Sequence, residues 1–259
     1  MADSSVELSC LDTDATGIFS GGIVFWWHRF SPPESVFYDF HTHLPLTGDP
    51  EVRSMVALDP KDRDRLSEAG YCCIGLHPWF LSADNWEETF VWVKKNAALP
   101  QVSAIGETGL DRLRGPALEI QRTVFERHVR LAEEMDKAVI VHCVRAFDEL
   151  TGLRRSLRPR MPWIVHGFAK GPEIACVLVA AGCALSFGKA LFSPDDRPIV
   201  RAFREIPDDR FLLETDGDPT VDIRAVYGRA AEIKGRPLEW VLEQVSRNMY
   251  EVLCGKMGR

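Results

Sequence analysis

Six residues of the kinds that hold divalent cations recur along this chain: His41 and His43, then Glu107, His142, His166 and Asp216. Imidazole and carboxylate donors without thiolate suit Zn, Mn, Fe or Mg with open coordination positions, and ions held in that way activate water for hydrolysis. Each of the six lies at the end of a short apolar run: FYDFHTH, VSAIGE, KAVIVH, PWIVH or RFLLETD. Such runs, rich in β-branched and aromatic residues and separated by helical patterns, read as strands of a parallel sheet. The chemistry is therefore expected at one face of a barrel.

The spacing gives each residue a reason. His41 and His43 are two positions apart at the end of a strand, so their side chains project to the same side and can converge on one ion. Glu107, in AIGETGLD, is expected on a tight turn at the barrel mouth, where a carboxylate between two cations offsets their repulsion. His142 and His166 close nearly pure apolar runs, where a buried imidazole needs a partner for both nitrogens. Being on consecutive strands, they face one central space and suit a second ion. An isolated HxH or a lone core histidine would carry little; the recurrence at strand ends carries the argument.

The elements that position these residues are legible in the periodicity. From Val36 onward short apolar runs alternate with longer amphipathic ones, the βαβ pattern. Eight strands are expected to end near His41, Leu58, His77, Glu107, His142, His166, Phe187 and Asp216. The steps of roughly 25 residues suit a strand, a helix and two loops. The reading is an α/β protein, a single-domain TIM (β/α)8 barrel over residues 36–259, with residues 1–35 an extension outside it. A helix is expected in SADNWEETFVWVKKNA with Ser82 or Asp84 as N-cap, another after Pro116, and a C-terminal one in PLEWVLEQVSRNMYEVLCGK.

Composition narrows the classes. With 259 residues and 46% hydrophobic content the chain can bury a sizeable core. Its 31 basic and 38 acidic residues give a formal charge of −7, which excludes a broad cationic surface for long nucleic acid. Seven cysteines without a CxxC pair fit reduced thiols and a cytoplasmic protein. The apolar segment GIFSGGIVFWW, residues 17–27, is too short to span a bilayer and lacks a basic approach, so no membrane association is expected.

Taken together, FHTH, GLHPW, AIGETGLD, QRTVFERHVRLA, VIVHCVRAFDEL, VHGFAKG and LLETD resemble the TatD family of metal-dependent deoxyribonucleases, over residues 37 to 256. The resemblance implies a barrel of the amidohydrolase-like superfamily. It also implies two divalent ions (Mg, Mn or Zn): His41, His43, Glu107 and Asp216 around one, with Glu107 shared and His142 and His166 on the other. Asp216 and Glu107 would be the catalytic carboxylates, Asp216 orienting the attacking water. His77, in GLHPW, matches a position at the mouth that would contact phosphate. Arg145 follows His142 by three residues where many members have His-x-Arg, and its planar guanidinium suits phosphate oxygens. After GLD the family tends to show aromatics where this chain has Arg112, Leu113 and Arg114, and after LLETD it continues with Gly217 and Asp218.

The activity so expected is phosphodiester hydrolysis on single-stranded DNA, on short oligonucleotide ends, or on a smaller phosphoester. The oligomeric state is open. Two other classes fit parts of the pattern. An amidohydrolase acting on a cyclic amide, lactone or ester would use the same barrel site, but its metals often share a carboxylated lysine, and only Lys189 lies near a strand end here. A catalytically silent metal-bound scaffold would not need all six ligands, and structural sites are more usually closed and cysteine-rich.

Overall fold

The computed structural model describes residues 36–44 and 48–254. The expected N-terminal extension, residues 1–35, lies outside the described residues, as does the apolar segment 17–27. Eight strands follow in chain order: β1 (Phe37–Thr42), β2 (Val52–Leu58), β3 (Cys72–Ile74), β4 (Val102–Asp111), β5 (Ala138–Val144), β6 (Trp163–Val165), β7 (Cys183–Phe187) and β8 (Phe211–Leu213). Every sequential pair from β1–β2 to β7–β8 is parallel, so the strands are ordered as in the sequence. The α/β TIM barrel expected from the periodicity is the architecture found. β1 is buried along its whole length and β5 through Ala138–His142, because inner side chains fill the barrel while outer ones meet helices.

Among the described residues seven α-helices cover the outside: α1 (Trp86–Asn96), α2 (Leu118–Met135), α3 (Phe147–Leu157), α4 (Pro172–Ala180), α5 (Pro198–Glu205), α6 (Ile223–Lys234) and α7 (Leu238–Leu253). α2 buries Gln121, Val124, Phe125, His128, Val129, Leu131 and Ala132, a stripe at helical spacing turned to the sheet. Phe125 there packs edge-on against Trp163 of β6, ring centroids 4.9 Å apart. Between β2 and β3 a short 3-10 helix, Pro60–Arg65, stands in place of an α-helix. α1 begins at Trp86 after Asn85, with no side-chain cap; neither Ser82 nor Asp84 plays that part.

The ring closes differently at its ends. Where the other strands are joined by ladders, β1 and β8 meet through the Asp39 carboxylate. It accepts from the Thr215 backbone N–H at 2.9 Å and from its hydroxyl at 2.7 Å. Just beyond, Asp216 N–H donates to the His41 carbonyl at 3.0 Å. The Tyr227 hydroxyl, from α6, accepts from Tyr38 N–H and donates to its carbonyl, holding the same joint from outside. The apolar run FYDF thus carries a buried carboxylate because the barrel's last seam needs a side chain where a ladder is missing.

Candidate metal centre

β4 places the central carboxylate. Glu107 is inside this strand, not on the turn expected from sequence, and its pairing with β5 shifts register between Ile105 and Thr108. Gly106 (φ 147°) and Gly109 (φ 154°) flank the irregularity, and a Cβ on Gly109 would lie 1.9 Å from the His142 carbonyl oxygen. Only glycine permits this approach of β4 to β5. The bulge re-aims Glu107 into the mouth and lets β4 continue to Asp111.

Five histidines surround Glu107. Its Oε1 lies 2.7 Å from His166 Nε2, 2.9 Å from His77 Nε2 and 3.0 Å from His142 Nδ1. Its Oε2 lies 3.2 Å from His41 Nε2 and 3.4 Å from His43 Nε2. Asp216 Oδ1 is 3.7 Å from both His41 Nε2 and His43 Nε2, and 3.9 Å from His166 Nδ1. The six ligand candidates are thus brought together with His77, and the two Glu107 oxygens divide the histidines into two sets. The first set is buried; on the second side His43 and Asp216 are about half exposed.

Among the described residues three triads have ligand atoms close enough for one ion, within 4.8 Å: His41–Glu107–His166, His41–His43–Asp216 and His77–Glu107–His142. Both nitrogens of His41, Glu107 Oε2 and His166 Nδ1 are buried with no hydrogen-bond partner among the described residues. His41 Nε2 and Glu107 Oε2 approach to 3.2 Å without the alignment of a hydrogen bond. Buried polar atoms left so are costly, and donors that converge without bonding to one another fit a shared cation.

The electrostatics agree. Burial alone would push the Glu107 carboxyl up, but His166, His142 and His41 hold it well below the usual range. For His166 burial works against the charged form, yet Glu107, with Glu214 and Asp216, drives it up to about 10. His41 is pulled down to about 4 by burial and by His166. The carboxylates demand one positive charge at the centre while burial resists charging His41 and His77, and cations bound by neutral imidazoles meet both conditions.

Sequence reasoning passed over several neighbours. Asp111 Oδ2 sits 3.2 Å from His142 Nε2 and accepts the Trp79 indole N–H, so it holds the far side of that imidazole. Glu214, fully buried, accepts from Gly167 N–H at 2.6 Å and stands 3.9 Å from His166 Nδ1; burial, opposed by His166, raises it to about 7. Its signal was the i, i+2 relation to Asp216, and that of Asp111 was its place in GETGLD. His77 begins the Pro78–Phe80 turn, its Nδ1 accepting from Trp79 N–H at 3.1 Å. Arg145 is exposed, has φ 54°, and bonds to none of the described residues of the cluster. Arg112 pairs with Asp148 and Glu149 of α3, and Asp218 with Lys189 at 2.7 Å, away from the cluster's own contacts. In the basic run 153–160, Arg154 binds the carbonyls of Ala181, Met161 and Gly182, so it braces the outer layer.

A family profile described as TatD related DNase matches residues 61–253, about three quarters of the chain. The chain belongs to the TatD family. It is 33% identical over 203 residues to a 3'-5' ssDNA/RNA exonuclease TatD of Pantoea sp. (strain At-9b), covering 73% of this chain and 76% of that protein. It is 34% identical over 149 residues to YabD, an uncharacterized metal-dependent hydrolase of Bacillus subtilis (strain 168), spanning 56% of this chain and 58% of the relative's length. Among solved structures, YJJV, a TatD homolog from Escherichia coli K12, superposes with a TM-score of 0.73 at 24% identity, over 85% of this chain and 98% of that one, a likeness of fold. No helix among the described residues is long and apolar enough to cross a membrane.

Proposed function

We propose that this TatD-family chain is a metal-dependent phosphodiesterase that trims single-stranded DNA or short oligonucleotide ends, using two divalent ions, Mg, Mn or Zn. The observation that carries this reading is Glu107 with one oxygen turned to His77, His142 and His166 and the other to His41 and His43. A shared carboxylate between two donor sets suits a paired-ion site. His41, His43 and Asp216 would hold one ion, His142 and His166 the other, with His77 close enough to join them or to meet the phosphate.

When bound, such ions supply Lewis acidity, acidifying water and offsetting charge on the phosphoryl oxygens. The half-exposed Asp216 is the carboxylate on the open side, placed to orient water and accept its proton. Asp111 fixes the direction of His142, and buried Glu107 keeps the donor sets in register. Arg145, at the end of β5, is the candidate to meet the substrate phosphate from solvent. Nucleic acid as substrate is supported by the similarity to the Pantoea relative, a 3'-5' ssDNA/RNA exonuclease. The amidohydrolase alternative loses its bridging lysine, because Lys189 is engaged by Asp218 and Thr220.

The test is metal-dependent release of product from a single-stranded oligodeoxynucleotide by chelator-treated protein given back each metal, beside a panel of lactones and cyclic amides. Cleavage is expected with the wild type, and kcat is expected to fall on the order of a hundredfold or more in Asp216→Asn. Turnover of the carbonyl substrates alone would overturn the reading.

A further inference from the structure

Beside the cluster, the segments after β2 and β3 enclose a cavity of about 380 Å³. That is within the roughly 300–1,000 Å³ typical of sites for small organic groups. One wall is the cluster itself, through His43, His77 and Glu107; another is formed by Lys61, Trp79 and Phe80. The two aromatic rings ride on the turn that His77 caps, so their distance from the cluster is fixed by the same short segment. They are left 41% and 56% exposed, although such rings are normally buried where a core can take them.

Each ring already carries a cation. The Lys61 ammonium is 3.2 Å from the Phe80 ring centroid, and the Arg114 guanidinium is 4.3 Å from that of Trp79. Lys61 forms no ion pair among the described residues, whereas the nearby carboxylates are engaged: Asp59 accepts from Lys61 N–H and His77 N–H, and Asp62 from Asp59 N–H. Exposed aromatic rings with cations against them are how single-stranded nucleic acid is held, a base on the ring and the charge on the backbone.

We propose that this cavity is a nucleobase subsite, in which Phe80, with Trp79 beside it, stacks one base of the strand whose phosphate faces the cluster, while Lys61 meets an adjoining phosphate. It rests on the phosphodiesterase reading and adds to it that one nucleotide is gripped through its ring. Arg112, Leu113 and Arg114 follow GLD in this chain, and Arg114 lies on Trp79, so the stacking surface comes from the GLHPWF string.

The experiment is cleavage of hexadeoxynucleotides carrying a single abasic residue at each position in turn, with metal-loaded protein. In the wild type kcat/KM is expected to drop about tenfold, equivalent to about 1.4 kcal/mol, at one position next to the cleaved bond. Phe80→Ala should bring that ratio to within about twofold of unity, and Phe80→Tyr, which keeps the ring, should preserve it. A wild type indifferent to the missing base at every position, or a ratio unchanged in Phe80→Ala, would overturn the subsite. Failure of the wild type to cleave any hexamer would instead bring down the phosphodiesterase reading, and the subsite with it.

Discussion

Two histidines of this barrel are equally buried and equally reluctant to charge, yet they are equipped in opposite ways. His128, in α2 against the end of β3, has both ring nitrogens bonded: Nδ1 donates to the Val124 carbonyl at 2.8 Å and Nε2 accepts from Leu76 N–H at 3.0 Å. His41, at the mouth, has neither nitrogen bonded among the described residues. Burial takes each down to about 4. Burial and lowered basicity therefore do not distinguish a structural imidazole from a candidate ligand; the presence or absence of partners does.

The strongest way to break the contrast is at its centre. Glu107→Gln keeps size but removes the charge that the mouth histidines surround, and is expected to lower kcat/KM on the order of a thousandfold while metal content measured after dialysis falls. A variant with full turnover and full metal content would refute the shared-carboxylate reading.

The pH dependence of stability comes next. The unfolded pKa of a histidine is 6.5, and that of folded His128 is about 4. Above pH 6.5 neither state binds the proton; as pH falls from 6.5 to 4 the unfolded chain takes it up and the folded chain does not. Stability is therefore lost over that window, by up to about 3 kcal/mol from this residue. Urea titrations of metal-free protein across it should show the loss in the wild type and a smaller one in His128→Leu.

At fixed neutral pH, His128→Leu should cost about 1–3 kcal/mol by stripping Leu76 N–H and the Val124 carbonyl of their partner, with metal content unchanged. His41→Leu should do the reverse, losing metal while the melting temperature of metal-free protein holds or rises, since no hydrogen bond is broken there. Smallest of all, Arg145→Ala should raise KM for an oligonucleotide a few-fold with kcat and metal content kept. Equal KM in wild type and variant would return Arg145 to the solvent surface.

The strands were legible because parallel strands buried on both faces are nearly pure apolar runs, and the polar residues ending them stand out. The run RSMVALD, with its end expected near Leu58, forms β2 over Val52–Leu58. The turn expected at Glu107 was not found because a bulge is a matter of register with β5, which the residues of β4 alone do not encode. Asp39 was hidden for a different reason. Its partner Thr215 lies 176 positions away, so nothing local marks a carboxylate in FYDF as a seam. His77 and Trp79 followed their strand rather than ending it, and the direction of side chains on a 3-10 turn has no period to read.

The seam between β1 and β8 also sets when the site comes into being. His41 lies in β1 and Asp216 just past β8, and the hydrogen bonds joining these segments close a loop of some 175 residues, so this contact carries one of the longest loop closures among the described residues. During synthesis at the ribosome, a nascent chain that has not yet released β8 lacks both the Asp39 joint and the open-side carboxylate, however well its earlier strands have paired. Assembly of the cluster is thereby tied to completion of the ring, and a half-made barrel is left without the carboxylate proposed to activate water.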